Sequence, residues 1–226
     1  TLVLPAFLLL HKIFCFSTIT SMIIMLSMVG PALLIPLYVQ NALGLSALLS
    51  GLVIMPGAII NGIMSVFTGK FYDKYGPRPL IFTGFILLIS CTFLLCFLKV
   101  DTSYTYLIVI YAIRMFAVSL LMMPINTTGI NALKTENISH GTAIMNFGRV
   151  MAGSLGTALM VTFMSIGAQW VVSSSNHASK EMIQRQSVAA GVDVSFALVT
   201  VFVIIAFVLA LFIKEPNHST HNSRKV

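Results

Sequence analysis

The sequence predicts an all-α integral membrane protein in which six transmembrane helices form one bundle. Of its 226 residues, 58% are hydrophobic and 8% are charged, and the mean hydropathy is +0.98. Soluble domains carry roughly 25% charged residues, so a soluble chain of this composition would not cover its own surface with polar groups. Six separate apolar stretches are each long enough to cross a bilayer, which takes about 20 residues of helix.

The six predicted spans belong to one transmembrane domain, 13–213. They cover approximately 13–39, 46–68, 79–98, 104–126, 142–170 and 194–213. Residues 1–12 are too few to span a bilayer and are interpreted as a lead-in or linker, and residues 214–226 form a polar tail. Because the first residue is Thr1 rather than Met, we expect the chain to be a piece of a longer one.

The basic residues predict the orientation of the bundle. If the chain starts in the cytoplasm, three basic residues face outward, namely Lys99, Lys180 and Arg185. Most of the others face the cytoplasm: Lys12, Lys70, Lys74, Arg78, Lys134, Lys214, Arg224 and Lys225. Cytoplasmic loops of membrane proteins carry an excess of Lys and Arg. We therefore expect a multi-pass protein of the plasma membrane with both termini cytoplasmic, and the net charge of +7 needs no nucleic-acid partner to explain it.

The composition of the spans repeats after three helices. The first and fourth spans contain prolines and polar groups, which are tolerated in a membrane only against protein or a wet cavity. The second and fifth are rich in glycine, and the third and sixth are uniformly bulky, as lipid-facing helices are. This order predicts a 3+3 inverted repeat of the kind found in secondary transporters.

Small residues in the fifth span predict close helix packing. Gly148, Ala152 and Gly156 are spaced four apart and share one helix face. Small residues at this spacing allow two helix backbones to approach closely in a membrane.

Polar groups and prolines inside the spans are the candidate cavity or gating residues: Pro31, Pro36, Asn61, Arg114, Asn126 and Arg149. An intramembrane arginine is costly and faces protein or water, usually with a partner. The alternative is an arginine that snorkels towards a helix end or binds backbone carbonyls. The asparagines have a similar alternative, since lone polar residues often join neighbouring helices.

One charged stretch, "TGKFYDKYGPRPL" at Thr68–Leu80, interrupts the apolar sequence between the second and third spans. One interpretation is a tight cytoplasmic turn whose lysines only set orientation. The spacing of its residues also resembles the G-x-x-x-D-[RK]-x-G-[RKP]-[RK] loop of the major facilitator superfamily. The matching residues are Gly69, Asp73, Lys74, Gly76 and Arg78.

The resemblance extends along most of the chain. The stretches "IPLYVQNALGLSALLSGLVIMPGAI" and "RVMAGSLGTALM" are similar to the C-terminal half of the fourteen-helix drug:proton antiporters of that superfamily. Two positions depart from the pattern, since Ala117 stands where a glycine is common and Pro77 where a basic residue is common. The resemblance implies that Asp73 closes one face of a transporter by pairing with an arginine and a helix terminus of the other half.

The function implied by this resemblance is proton-coupled efflux of drugs or other amphipathic small molecules from a bacterium, of the type that causes antibiotic resistance. The expected partners are the lipid bilayer, a missing N-terminal half, a small-molecule substrate and protons. Two alternatives remain: a truncated, non-transporting membrane fragment, or an exporter of lipid, fatty acid or siderophore. The sequence contains no pattern of an enzyme active site, a metal site or a cofactor site.

The acidic residues bear on proton coupling, which requires a titrating group inside the membrane pathway. All six acidic residues are expected in loops, at helix boundaries or in the tail: Asp73, Asp101, Glu136, Glu181, Asp193 and Glu215. His140 is also predicted to lie in a loop. We therefore expect the coupling carboxylates to belong to the missing half.

Overall fold

The computed structural model describes residues 12–174 and 180–212, and the predicted lead-in and tail fall almost entirely outside these ranges. Six long helices form within them: α1 (Lys12–Asn41), α2 (Ala47–Tyr75), α3 (Pro77–Leu94), α4 (Tyr104–Asn131), α5 (Ile138–Ser174) and α6 (Lys180–Leu211). One-turn 3₁₀ helices follow α3 at Leu95–Phe97 and precede α5 at Thr135–Asn137. All six long helices are long and apolar enough to cross a membrane. The predicted all-α membrane fold with six spans is confirmed.

Local sequence signals explain how α2 begins and how it passes into α3. Ser46 caps the N-terminus of α2, where its side chain accepts a hydrogen bond from the Leu49 N–H at 3.4 Å. Gly76 ends α2 with a φ of 76°, a left-handed conformation that glycine adopts without strain. Pro77 then occupies the first position of α3, where a missing N–H removes no intrahelical hydrogen bond. A single residue therefore joins two long helices.

Two expected loops are instead largely helical. α2 continues to Tyr75, past the predicted end at 68, and α6 begins at Lys180 rather than near 194. The stretch 171–193 between the fifth and sixth predicted spans is therefore helical at 171–174 and 180–193. Lys, Glu, Gln, Arg and Met favour helix as strongly as most apolar residues do. Charge marked the end of each apolar run, but it did not end the helix.

The helices pack in matched pairs. The most extensive contacts are between α1 and α5 and between α2 and α4, and α1 also packs on α6 as α4 packs on α3. Exchanging the first three helices with the last three reproduces these four contacts, as a 3+3 repeat requires, but the extensive contact between α5 and α6 has only a small counterpart between α2 and α3. α1 and α4 are the most buried spans, whereas α2 and α5 are the least buried. α2 and α5 therefore each have a face that no other helix of the described bundle covers.

The contact between α1 and α5 depends on small residues. A Cβ added at Gly156 would lie 2.8 Å from Leu26 Cγ and 3.0 Å from Leu26 Cα. One added at Gly148 would lie 3.0 Å from Met22 Sδ, and Ala152 between the two glycines is buried. The face predicted from the spacing of these residues therefore lies against α1, at a distance that only small side chains permit.

Candidate functional site

An open cavity of about 660 Å³ lies among α1, α2, α4 and α5. This volume falls in the range of roughly 300–1,000 Å³ that is typical of small-molecule sites. Its apolar lining consists mainly of methionines, namely Met25, Met28, Met122 and Met123, with Val118 and Val150. Its polar lining consists of Asn61, Ser65, Ser119, Asn126, Thr127, Asn146 and Arg149. The cavity therefore combines an apolar wall with several hydrogen-bonding groups and one charged residue.

The methionines come in pairs from the two central helices. Met25 and Met28 lie one turn apart on α1, and Met122 and Met123 are adjacent on α4. Methionine side chains are unbranched and polarisable, so they fit ligands of different shape. Sequence analysis did not select these residues. The signal was the recurrence of methionine in the two spans that also carry prolines and polar groups.

Arg149 supplies the formal charge of the cavity. Its Nη2 donates a hydrogen bond to the Oδ1 of Asn146, one turn earlier on α5, and both side chains line the cavity. The guanidinium has five N–H donors, so this contact leaves it donors for an acceptor on a bound molecule.

The two predicted asparagines, Asn61 and Asn126, both line the cavity, but they differ in their hydrogen bonds. The Nδ2 of Asn61 donates to the Met115 carbonyl at 3.1 Å, so Asn61 joins α2 to α4. The Oδ1 of Asn126 is buried and accepts no hydrogen bond from the described residues. A buried acceptor without a donor is unfavourable. Asn126 is therefore the lining residue best prepared to accept a hydrogen bond from a ligand or a water molecule.

Arg114 does not line this cavity but is fully buried between α4 and α1. Its Nη2 donates to the Ser27 carbonyl and, at 2.9 Å, to the Ser27 Oγ. Its Nε and Nη1 find no acceptor among the described residues. The arrangement matches the alternative expectation of an arginine bound to backbone carbonyls, and the gating role expected for Arg114 has no direct geometric counterpart in this cavity.

The two predicted prolines of α1 also lie outside the cavity lining. Pro31 is buried and Pro36 is half-buried, and α1 continues as one helix past both. Proline has no N–H, so Pro31 leaves the carbonyl of Ser27 without its helical donor. That carbonyl is the one to which Arg114 donates.

The charged motif spans the end of α2, the Gly76 joint and the start of α3. Gly69 faces α4, where an added Cβ would lie 3.2 Å from Met123 Cε. Asp73 and Lys74 are exposed in the last turns of α2, and the Lys74 ammonium lies 5.1 Å from the centre of the Tyr75 ring. Asp73 forms no ion pair with the residues that the structure describes.

Asp193 departs from the expectation that every carboxylate lies in a loop, at a boundary or in the tail. Because α6 begins at Lys180, Asp193 is inside this helix, where it is half-buried. Its Oδ1 accepts a hydrogen bond from the Leu98 N–H at 3.0 Å. The Tyr38 hydroxyl donates a hydrogen bond at 2.5 Å to the backbone carbonyl of Lys99, the residue after Leu98. Together these bonds attach the segment between α3 and α4 to both α6 and α1.

Comparisons with known proteins agree with this architecture. The profile of the Major Facilitator Superfamily matches residues 2–157. The chain is 35% identical over 205 residues to the Lincomycin resistance protein LmrB of Listeria monocytogenes, an alignment that covers 91% of this chain and 43% of LmrB.

Two further relatives align over shorter stretches. The uncharacterized MFS-type transporter YhcA of Bacillus subtilis is 43% identical over 152 residues, which are 67% of this chain and 29% of YhcA. The multidrug export protein EmrB of Escherichia coli is 29% identical over 134 residues, which are 59% of this chain and 26% of EmrB. The chain thus spans less than half the length of these relatives.

Proposed function

This chain belongs to the Major Facilitator Superfamily, and on that premise we propose that it is the C-terminal half of a proton-coupled exporter of amphipathic small molecules. Members of this family are transporters rather than enzymes. The observation that carries the proposal is the methionine-lined cavity of about 660 Å³ with Asn126 and Arg149 in its wall. An adaptable wall that combines methionines with several polar groups suits amphipathic molecules that carry an acceptor for Arg149 and a donor for the Asn126 Oδ1.

A missing N-terminal half is supported by the uncovered faces of α2 and α5. A Cβ added at Gly51 or Gly62 of α2 would meet no atom within 4 Å, and both glycines are exposed. On α5, Ser154, Ala158 and Ser165 are exposed as well. In a membrane, such small and hydroxylated residues are typical of helix–helix interfaces rather than of lipid-facing surfaces. A second half packed on α2 and α5 would also close the open side of the cavity.

The substrate class is proposed from the cavity together with the relatives. LmrB is named for lincomycin resistance and EmrB for multidrug export, so lincomycin and other drugs are the first candidates here. Export of a lipid, fatty acid or siderophore is the alternative within transport. In either case Arg149 and Asn126 would bind the polar part of the molecule and the methionines its apolar part.

Gating and coupling complete the proposal. Asp73, exposed at the end of α2, would pair with groups of the other half and close the cytoplasmic face, with Arg78 as a companion cation. The proton-coupling carboxylates would lie in the other half. The orientation with both termini in the cytoplasm of a bacterial plasma membrane remains the one that the basic residues favour.

The proposal is tested by measuring drug accumulation in a bacterium that lacks its own exporters. The gene is expressed at its full genomic length, with whatever coding sequence precedes Thr1, and residues 1–226 are expressed alone for comparison. We expect the full-length protein to lower the accumulation of lincomycin, a protonophore to abolish this effect, and residues 1–226 alone to have none.

A matched pair of variants connects the result to the cavity. Arg149→Gln removes the charge from the cavity wall, whereas Lys134→Gln removes one from an exposed position outside it. We expect only Arg149→Gln to reduce export. Unchanged accumulation with the full-length protein for every drug tested would favour the fragment or the lipid exporter, and export insensitive to the protonophore would refute proton coupling.

A further inference from the structure

A second cavity lies between α3 and α6, two helices that contribute nothing to the lining of the first cavity. It is a groove of about 480 Å³, lined mainly by Arg78, Ile81, Phe82, Phe207, Ala210 and Leu211. Its lining is apolar except at one end, where Arg78 stands in the first turn of α3. The lining of the groove therefore consists of a long apolar part and a single cationic end.

The apolar part of the groove is open to the surroundings of the bundle. The Phe207 ring lies 5.6 Å from the ring of Phe82, and these two rings form its wall, while the buried Phe85 packs behind Phe207 at 5.5 Å. Phe82 is 51% exposed and Leu211 is 62% exposed. Because an empty groove forfeits the dispersion contacts of its lining atoms, a groove at this position will be filled by hydrocarbon.

Arg78 has no partner that would neutralise it among the residues that the structure describes. It forms no hydrogen bond or ion pair with them, and it is exposed. The neighbouring cations of α2 differ from Arg78 because each contacts an aromatic ring. The Lys70 ammonium lies 5.8 Å from the centre of the Phe67 ring, and that of Lys74 lies 5.1 Å from the centre of the Tyr75 ring. A guanidinium is well suited to phosphate because it can donate two parallel hydrogen bonds.

The occupant must therefore combine hydrocarbon with negative charge. Two stretches of the chain at its ends lie outside the described residues. Residues 1–11 are apolar but contain no acidic residue, and residues 213–226 contain Glu215 but are almost all polar, so neither combines hydrocarbon with negative charge. A helix of the other half would supply hydrocarbon, but the proposed interface for that half is on α2 and α5. We propose that the groove between α3 and α6 binds an anionic phospholipid, with an acyl chain along Phe82 and Phe207 and the phosphate on Arg78.

The test places a fluorescent reporter in the groove. Leu211→Trp is introduced together with Trp170→Phe, which removes the chain's single natural tryptophan. The full chain is reconstituted in vesicles of mixed phosphatidylglycerol and phosphatidylethanolamine, and one of the two lipids carries bromine on its acyl chains. Bromine quenches tryptophan on contact, so the two quenching curves report the lipid composition next to position 211.

We expect phosphatidylglycerol to be enriched about fivefold over phosphatidylethanolamine at this position, the factor that one basic residue provides at an anionic surface. Arg78→Gln should abolish the enrichment. Lys70→Gln removes the same charge from α2, outside the groove lining, and should preserve it. Circular dichroism of each variant establishes that the helices are intact.

Three outcomes would overturn the proposal. Equal quenching by the two lipids would show that the groove has no preference for an anionic headgroup. Enrichment that survives Arg78→Gln would show that Arg78 does not bind the phosphate. Enrichment that appears only after Glu215→Gln would show that the glutamate of the chain's own tail, rather than a lipid, neutralises Arg78.

Discussion

Arg114 of α4 donates a hydrogen bond to the backbone carbonyl of Ser27 in α1, the carbonyl that Pro31 cannot satisfy. The guanidinium thus replaces a missing amide at the centre of the bundle. Leaving a buried carbonyl without a donor costs about 1–3 kcal/mol, and a hydrogen bond from a charged donor contributes more stability than one from a neutral donor. The proline and the arginine, far apart in sequence, therefore act on one hydrogen-bond acceptor.

This shared acceptor predicts that Pro31 and Arg114 are energetically coupled. When Pro31 is present, Arg114→Met leaves the Ser27 carbonyl without a donor. Pro31→Ala restores a helical N–H to this carbonyl. We expect the effect of Arg114→Met on the free energy of unfolding to be less destabilising, by about 1 kcal/mol, when Pro31→Ala is already present. Unfolding in detergent, followed by circular dichroism for the four proteins of the cycle, measures this. Additive effects would show that the two residues act independently.

The crossing of α5 and α6 predicts a strict requirement for glycine. A Cβ added at Gly191 would lie 2.3 Å from the carbonyl oxygen of Met164, and one added at Gly167 would lie 2.8 Å from the Cα of Gly191. Because these neighbours are backbone atoms, they cannot move aside without shifting a helix. We expect Gly191→Ala to destabilise the bundle by about 1–3 kcal/mol.

Gly62→Ala is the control, since an added Cβ there meets no atom within 4 Å and alanine favours helix over glycine by about 1 kcal/mol. It should be neutral or stabilising in the same detergent unfolding measurement. If both variants shift the transition equally, the contact at Gly191 has no particular importance.

The hydrogen bond from the Leu98 N–H to Asp193 predicts that Asp193 stabilises the segment that follows α3. Asp193→Ala removes the acceptor of the Leu98 N–H, whereas Asp193→Asn retains a carbonyl oxygen at the same place. We expect the Leu98 amide to exchange with deuterium about tenfold faster in the alanine variant, which corresponds to about 1.4 kcal/mol, within the range for a lost hydrogen bond. The exposed Asp101 of the same segment provides the control variant Asp101→Ala. Unchanged exchange in Asp193→Ala would contradict the assignment.

The proposed gating role of Asp73 predicts a charge requirement in the full-length transporter. Asp73→Asn should leave the protein in the membrane at normal abundance, because the side chain is exposed and unpaired in the described residues. Drug export should fall strongly, since a neutral amide cannot form the proposed ion pair, and Asp73→Glu should retain part of it. Full export by the asparagine variant would reduce the motif to a signal for orientation.

The orientation itself predicts where single cysteines react. In a background without Cys15, Cys91 and Cys96, Ser173→Cys at the exposed end of α5 should react with an impermeant maleimide in intact cells. Lys74→Cys at the opposite end should react only after lysis. The reverse pattern would show that both termini are external.

The sequence was sufficient to predict the six spans, because hydropathy over about 20 residues is a local property. It was not sufficient to predict helix ends such as Tyr75 and Lys180, since charge stops an apolar run without stopping a helix. The site was partly predictable: Asn61, Asn126 and Arg149 were selected because polar groups inside a span are exceptional.

The remaining features depend on how the helices pack. Sequence analysis established that Arg114 needs a partner, but only the crossing of α1 and α4 identifies Ser27. The methionines of the cavity were missed for the same reason, because an apolar residue facing a cavity and one facing the core have the same local pattern. Asp193 was assigned to a boundary because the helical stretch before it is polar.

The matched pairing of the helices has a consequence for synthesis of the protein. α1 has its most extensive contact with α5, and α2 has its own with α4, so neither early helix has its main partner when it leaves the ribosome. A nascent chain grows at about 5–20 residues per second. Gly57 and Gly69 of α2, which pack against α4, must therefore remain in the lipid for seconds before that helix arrives. The contact between α1 and α5 forms only after the fifth helix arrives, and premature termination before that point would leave α1 without its main partner.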